Sequence, residues 1–329
     1  MLHDFVQSDA LKRVCRGLLG KLPSVSMLPI RSLISYAALS PLALFNNVDF
    51  EVEDRVELID AIYDLHSQCS SGFFASEIQS GIESFSYGDI SMTFTTISVL
   101  IMLGDDLQRV NRESVCRLLR ECYNDATGSF LLSREGEMDV RATFSAIATC
   151  KLLNINLKEK NEIQAGVLKC QMCDGGFGQS PGLPSHGGST FCAISSLLLL
   201  QEMGVMTQQS VFKKCARWCL RRHNRGFHGR EGKDDDTCYG FWIGGTLRNL
   251  GYLKYVNKDR WLTHLGNTAR YKQGAFAKFE GTKIGDPIHL CFGCYAYAYV
   301  TESANVDSII GVPQHCVDAV YAFEPMECK

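Results

Sequence analysis

The sequence predicts an all-α fold, an α-α toroid or (α/α)6 barrel of about six helical hairpins in a single domain spanning the chain. Three observations point there. A short turn ending in Gly-Phe or a near variant recurs at Gly72-Phe73, Gly128-Ser129-Phe130, Gly176-Phe177, Gly226-Phe227 and Ala275-Phe276; the phenylalanines are 57, 47, 50 and 49 residues apart. After each turn a polar, glycine-rich loop leads into an apolar helical run, and no stretch shows the sustained period-two alternation of a strand. A helix apolar all round needs cover on both faces, which favours a closed ring over an open superhelix.

Taken in order, the chain opens with a helical segment over about residues 1–30 and a helix over 30–38. The apolar inner helices follow at Met92–Leu103, Thr143–Leu153, Thr190–Gln201, Tyr239–Leu250 and Leu290–Tyr299. More amphipathic outer helices precede the turns, as at Ser114–Tyr123 and Gln209–Arg222, and a short tail covers about 302–329. In such a ring the loops before the inner helices crowd one end of a central cavity, where a ligand would sit.

Composition narrows the function. The 329 residues carry a formal net charge of -3 and are 46% hydrophobic, with only 8 prolines. That balance excludes a nucleic-acid binder, a polybasic membrane surface and a disordered chain. The longest apolar stretch, around Ile194–Leu200, is far short of a membrane span, and Met1–Ala10 shows no signal pattern. The expectation is a cytoplasmic protein with reduced cysteines. Fifteen cysteines, an odd number, mostly sit in apolar helical stretches (Cys116, Cys150, Cys192, Cys215, Cys219) and read as small buried hydrophobes. Cys170/Cys173 and Cys291/Cys294 have CxxC spacing, but neither has a partner at zinc-knuckle distance.

The chemistry-bearing residues fall in the loops. Gly226–Trp242, GFHGREGKDDDTCYGFW, places Arg230, Lys233, Asp236, Cys238 and Tyr239 just ahead of an apolar helix. Asp236 and Cys238 are hard and soft anionic ligands, both acceptable to zinc, and the next repeat offers His289 in the register of Tyr239. Taken singly, Asp236 reads as an N-cap or loop acid and Cys238 as packing; the set points to a metal. The loop SHGGST, Ser185–Thr190, adds His186 and the close approach of the Gly187 and Gly188 amides to a ligand at a helix N-terminus. Two cations, an imidazole, exposed amides and the Tyr239 hydroxyl suit a diphosphate, while no Walker or GxGxxG pattern supports a nucleotide. Phe191, Tyr239, Phe241 and Trp242 at helix starts predict aromatic cavity walls. An apolar funnel, a diphosphate clamp and a thiolate-activating zinc describe an enzyme that joins an isoprenoid to a thiol.

At this point the chain resembles the β subunits of protein prenyltransferases, from about Cys15 to Thr301, and among them the geranylgeranyl type I class. The carrying motifs are Gly104–Asn111 (GDDLQRVN), Asp139–Arg141 (DVR), Gly175–Cys192 (GGFGQSPGLPSHGGSTFC), the segment leading through DTCYGFW to Trp242, and Phe276–Gly293. Ser189 stands where farnesyl enzymes typically carry tyrosine. The resemblance implies transfer of a geranylgeranyl group from geranylgeranyl diphosphate to the cysteine of C-terminal CaaX motifs, X typically Leu. It implies one zinc per β subunit on Asp236, Cys238 and His289, and a clamp of His186, Arg230, Lys233 and Tyr239, joined by a lysine of an α subunit. Gly187, Gly188, Glu231, Gly232, Gly240, Phe241 and Trp242 complete the diphosphate and isoprenoid set. Leu33 takes the place of a tryptophan that floors the farnesyl tunnel. Arg141, with Asp89, Ser91 and Ala142, belongs to the peptide side. Lys278 stands where farnesyl enzymes hold magnesium with an aspartate, so magnesium is not expected to be required. Implied partners are a helical-repeat α subunit shared with farnesyltransferase, in an obligate heterodimer, and CaaX proteins such as Rho- and Rac-type small GTPases.

The chain departs from that pattern in places. Gly88–Met92 reads GDISM rather than GHIAM, Ala142 stands for a phenylalanine, Ala275 replaces a repeat glycine, and one extra residue separates Phe276 from His289. The last-residue preference of the peptide is left open. A farnesyltransferase β subunit and a non-catalytic α-α repeat scaffold are the alternatives; the absence of DxDD and repeated QW motifs argues against a terpene cyclase.

Overall fold

The computed structural model describes residues 1–20, 28–45, 52–67, 75–80, 83–133, 136–320 and 322–328. The Gly72-Phe73 turn lies outside them; the other four repeat turns lie within.

Fourteen helices are described: α1 (Leu2–Val6), α2 (Asp9–Gly20), α3 (Leu28–Leu44), α4 (Val52–Ser67), α5 (Ile90–Met102), α6 (Arg112–Cys122), α7 (Val140–Leu152), α8 (Lys160–Lys169), α9 (Gly187–Glu202), α10 (Gln209–Leu220), α11 (Tyr239–Asn249), α12 (Lys258–Thr268), α13 (Pro287–Thr301) and α14 (Gln314–Asp318). Helices α3, α5, α7, α9, α11 and α13 each pack on the next, and α13 returns to α3, closing a ring of six inner helices. Outer helices α2, α8, α10 and α12 cover α3, α9, α11 and α13. The inner helices need that cover because they have no polar face: in α9 every residue from Gly187 to Leu197 is buried.

Four of the inner helices, α5, α7, α9 and α13, start where the sequence supplies a side-chain cap. Asp89 accepts a hydrogen bond from the Met92 amide, Asp139 from Arg141, and Asp286 from Ile288 and His289, with Pro287 in the first turn. His186 does the same with an imidazole nitrogen. The repeat turns are anchored by Phe130, Phe177, Phe227 and Phe276, each 1% exposed or less. Thr143 and Thr190, one turn into α7 and α9, accept the amides of Phe130 and Phe177 and tie loop to helix.

Two features were not anticipated. An antiparallel hairpin pairs Ala75–Ser80 with Glu83–Gly88, between α4 and α5. The C-terminal segment is built into the ring. Residues 306–307 and 312–313 form a hairpin that packs on α3 and α5, and residues 326–327 pair in parallel with 155–156 beyond α7. Arg112 fixes that end by donating to the carbonyls of Asn154 and Glu324 and lying over the Phe323 ring. The described cysteines are all unpaired, and of the CxxC residues only Cys173 is exposed. No helix among the described residues is long and apolar enough to cross a membrane.

Candidate functional site: a metal-donor cluster beside a cationic pocket

The repeat geometry places the site. The amides of His186, Asp236 and Asp286 each donate to the carbonyl of the repeat phenylalanine before them, Phe177, Phe227 and Phe276, at 3.0, 2.9 and 3.2 Å. The three loops therefore hold the same position at one end of the ring. The extra residue ahead of His289 is absorbed before Asp286 and leaves this bond intact.

Asp236, Cys238 and His289 converge, with one ligand atom from each lying within 4.8 Å of the others, a possible metal site. His289 Nε2 lies 3.1 Å from Asp236 Oδ1, and its Nδ1 lies 2.6 Å from Asp286 Oδ2. The capping aspartate thus also orients the imidazole and leaves Nε2 facing the donors, the usual arrangement around a metal-binding histidine. Burial works against the Asp236 carboxylate, but hydrogen bonds from His289 and Cys238 outweigh it and hold its pKa below the ordinary value. Burial likewise opposes the charged His289, and its contacts with Asp236 and Asp286 win, raising its pKa. Burial, then the Asp236 charge, pushes the Cys238 thiol far up, so nothing in the protein itself makes it a thiolate. The cap role of Asp236 is also real, since it accepts the Cys238 amide at 2.9 Å. Lys278 reaches the edge of the cluster, Nζ 3.7 Å from Asp236 Oδ2, with half its side chain exposed.

Beside the cluster, His186 Nδ1 accepts the Gly188 amide at 3.1 Å, which leaves the ring proton on Nε2; that N–H donates to Tyr239 Oη at 2.9 Å. Burial first, then the charges of Arg230 and Arg141, lower the His186 pKa and favour the neutral ring. The Tyr239 proton is then available to a ligand oxygen. Arg230 and Lys233 are exposed, and neither pairs with a carboxylate among the described residues. Arg230, His186 and Gly188 line a cavity of about 490 Å³ with Arg141, Gln179 and Trp242.

The expectation that the Gly187 and Gly188 amides meet the ligand is corrected. Gly187 donates to the Gly229 carbonyl and Gly188 to His186, so both amides are spent. Their missing side chains matter for space instead. A Cβ on Gly187 would lie 2.8 Å from the Tyr239 ring, and one on Gly229 would lie 2.0 Å from it. Only glycines let that ring seat against His186. Glu231 forms an ion pair with Arg222 and its exposed side chain points to that partner, Gly232 lies in the following turn, and Gly240 is buried where α11 meets α13.

A second cavity, about 460 Å³ and mostly apolar, adjoins the first through Arg141, Cys192 and Trp242. Its wall takes one or two rings from each of the six inner helices: Tyr36, Phe94, Phe144, Phe191, Phe241 with Trp242, and Phe292. Neighbouring rings meet edge-on or stacked, as in Phe144–Phe191 at 5.9 Å and Phe241–Phe292 at 4.7 Å. The sequence reading found Phe191, Phe241 and Trp242 and missed the others. The first-turn register of Phe94 and Phe144, five residues after capping Asp89 and Asp139, would have revealed them. Leu33, on α3, lines this cavity and is 40% exposed to it.

The peptide-side residues divide. Arg141 lines both cavities, held by a forked contact with buried Asp139. Ser91 lines the apolar cavity. Asp89 lines neither: its carboxylate is turned back onto the Met92 amide as the α5 cap. Ala142 is fully buried in the core.

A ring of helical hairpins carrying an anion pocket and a metal-donor set on one rim defines a class of protein, and the comparisons agree. A family model, the prenyltransferase alpha-alpha toroid domain, matches residues 7–322, and the chain belongs to that family. It is 34% identical over 224 residues, 65% of its length, to an Arabidopsis thaliana geranylgeranyl transferase type-1 subunit beta, of which the match covers 59%. It is 35% identical over 158 residues, 46% of its length, to an Arabidopsis thaliana protein farnesyltransferase subunit beta, of which the match covers 32%. The chain thus spans less than two thirds of the length of the curated relatives it matches. A solved Candida albicans protein geranylgeranyltransferase-I complexed with GGPP superposes with a TM-score of 0.80 at 20% identity, over 94% of this chain and 97% of that one, and shares the fold.

Proposed function

We propose that the chain is the catalytic β subunit of a protein geranylgeranyltransferase type I, moving a geranylgeranyl group from its diphosphate to the cysteine of a C-terminal CaaX motif. The observation that carries this reading is the combination of three parts: a cationic pocket lined by Arg230, an aromatic cavity that shares Arg141, Cys192 and Trp242 with it, and a metal-donor cluster in loops of the same register. Each suits one part of the reaction, namely the diphosphate, the lipid and the thiol. A non-catalytic scaffold has no use for an Asp-Cys-His set whose histidine is oriented by its own carboxylate.

The donor set fits zinc: one carboxylate, one thiol sulfur and one imidazole nitrogen. Bound there, zinc would supply a Lewis acid that lowers the pKa of an incoming thiol. Asp236, Cys238 and His289 would hold it, and Asp286 fixes the imidazole. Arg230 and Lys233 attract the diphosphate, and neutral His186 orients Tyr239 so that its hydroxyl donates to a departing oxygen. The new bond joins sulfur to the first carbon of the isoprenoid; the carbon–oxygen bond breaks and diphosphate leaves with the electron pair. The thiol proton passes to water, so no side-chain base is required.

The geranylgeranyl choice is supported by Leu33 and Ser189. A leucine on the cavity wall leaves volume that an indole would fill, and each buried CH₂ contributes about 0.8 kcal/mol. The same reading supplies the partners, an α subunit shared with farnesyltransferase and CaaX proteins ending in leucine. The test is an assay of both diphosphates by the chain co-expressed with such an α subunit, against peptides differing in the last residue. Geranylgeranyl transfer should dominate, and Leu33→Trp should shift preference toward farnesyl diphosphate by about tenfold or more, roughly 1.4 kcal/mol. Dominant farnesyl transfer by the unmodified chain would favour the farnesyltransferase reading.

A further inference from the structure

The C-terminal hairpin does more than close the ring. The first residue of its turn, Ser308, is tied to the far end of α11, where the Asn249 side-chain amide donates to the Ser308 carbonyl at 2.9 Å and the Ser308 hydroxyl returns a bond at 2.5 Å. Its turn penetrates to the level of Phe241, the third residue of α11. There the Gly311 carbonyl accepts hydrogen bonds from two buried hydroxyls, Tyr36 of α3 and Tyr295 of α13, the latter at 2.7 Å. Asp307 closes the turn, accepting the amides of Ile309 and Ile310 at 3.0 Å each. Gly311 has φ +88, and a Cβ on it would lie 3.0 Å from the Phe241 ring, so the turn is pressed against the aromatic wall in a backbone conformation that favours glycine. From this turn Ile310 lines the apolar cavity together with Tyr36 and Leu33, and none of the three lines the pocket of His186 and Arg230.

Resting on the reading above, we propose that Ile310 sets the depth of the lipid cavity and so which isoprenoid length the enzyme accepts. The physical reason is that the turn carrying Ile310 is pinned, at Ser308 by Asn249, at Gly311 by Tyr36 and Tyr295, and by the Asp307 carboxylate. A floor held by two tyrosines and a carboxylate does not yield, so a change of side chain changes cavity volume rather than turn position. An isoprene unit has five carbons. Exchanging isoleucine for alanine removes three carbons and for phenylalanine adds three, a change of the same order as the unit being measured. Leu33 acts from the wall on α3; Ile310 acts from a segment outside the helical repeat, so the two limits can vary independently.

The test is direct binding of farnesyl, geranylgeranyl and geranylfarnesyl diphosphates to the chain in complex with a prenyltransferase α subunit, by competition against one labelled diphosphate. The shared head group cancels, so relative affinity reports the cavity. Ile310→Phe should weaken geranylgeranyl relative to farnesyl diphosphate by about tenfold, and Ile310→Ala should strengthen the longest lipid relative to geranylgeranyl by a similar factor. Ile310→Val, a conservative core change, should move the order in the direction of alanine by about threefold and carries the test if a larger change impairs folding. Folded variants that keep the wild-type order of the three lipids overturn the inference while leaving the prenyltransferase reading intact. If the unmodified complex binds none of the three, both fall together.

Discussion

The loops ahead of α7 and α11 share a position and diverge in chemistry. Nine residues after the repeat phenylalanine stand Asp139 in one and Asp236 in the other. Both are buried, 0% and 6% exposed, so burial alone does not tell them apart. Asp139 is saturated from within the protein: it takes the Arg141 amide, the forked Arg141 side chain and the Gln179 amide group. Asp236 faces groups that are themselves metal donors, Cys238 and His289. The comparison teaches that the repeat supplies the carboxylate and the neighbours decide its use. A structural aspartate becomes a site where its own loop presents a soft ligand two residues on, in place of an arginine, and the next loop presents an imidazole.

The largest expected effect breaks the comparison on the metal side. Cys238→Ala or His289→Ala should remove zinc from the heterodimer and slow prenyl transfer more than a hundredfold, on the order of 3 kcal/mol, while subunit assembly persists. Atomic absorption on the purified complex and a single-turnover assay check it. Full zinc occupancy with normal rates in both variants would reject the assignment. On the other side, Asp139→Ala should leave zinc content unchanged and cost about 2 kcal/mol of stability, because one buried acceptor of five hydrogen bonds is lost while half-exposed Arg141 regains water. Thermal unfolding with zinc analysis of the same sample separates the outcomes; zinc loss in Asp139→Ala would show that the two loops are not independent.

Much of this was legible in the sequence, for a physical reason. Repeats recur with their apolar runs, so the inner helices of five hairpins could be placed, and Asp236, Cys238 and His289 could be grouped by register alone. What was hidden depends on side-chain direction across the ring. Gly187 and Gly188 looked like ligand-facing amides, yet the Gly229 carbonyl and the His186 nitrogen claim them first. Asp89 looked like a pocket charge because its neighbours in sequence belong to the pocket; at the N-terminus of a helix its carboxylate finds the Met92 amide instead. The hairpin over 306–313 carries no repeat signature, and its seat against the ring shows only through contacts such as Tyr36, 275 residues away, reaching Gly311. Long-range hydrogen bonds of this kind leave no local pattern to read.

A smaller effect sharpens the boundary between the metal cluster and the diphosphate pocket. Lys278, with its ammonium 3.7 Å from Asp236, places a fixed positive charge beside the site. Repulsion from it would discourage a second divalent ion there, and its own charge would meet part of the charge growing on diphosphate. Adding millimolar magnesium should therefore change the wild-type rate less than twofold. Lys278→Asp should be slower by about tenfold, roughly 1.4 kcal/mol, and recover when magnesium is supplied. Initial rates across a magnesium titration decide the matter. A wild-type rate that rises tenfold with magnesium would assign Lys278 to ordinary loop solvation.

The smallest effect concerns the cap that most resembles a site residue and does no site chemistry. Asp89 occupies the N-cap of α5 as His186 occupies that of α9, but it lines neither cavity. Burial raises its pKa, and the hydrogen bonds from the Met92 and Ser91 amides only partly offset that rise. The sign follows from proton linkage: the folded chain keeps this proton to higher pH than the unfolded chain does, so Asp89 costs stability as pH rises from the ordinary carboxylate range through its folded pKa. Asparagine caps a helix about as well as aspartate and carries no charge to desolvate. Asp89→Asn should therefore match the wild type below that window and exceed it slightly above, by a few tenths of a kcal/mol, with peptide preference unchanged. Thermal midpoints at pH 3 and 7.5, read beside a panel of peptides varied in the last residue, test both halves. Altered peptide preference in this variant would mean that the carboxylate reaches the substrate after all, and that the cap of α5 is a site residue as the cap of α9 is.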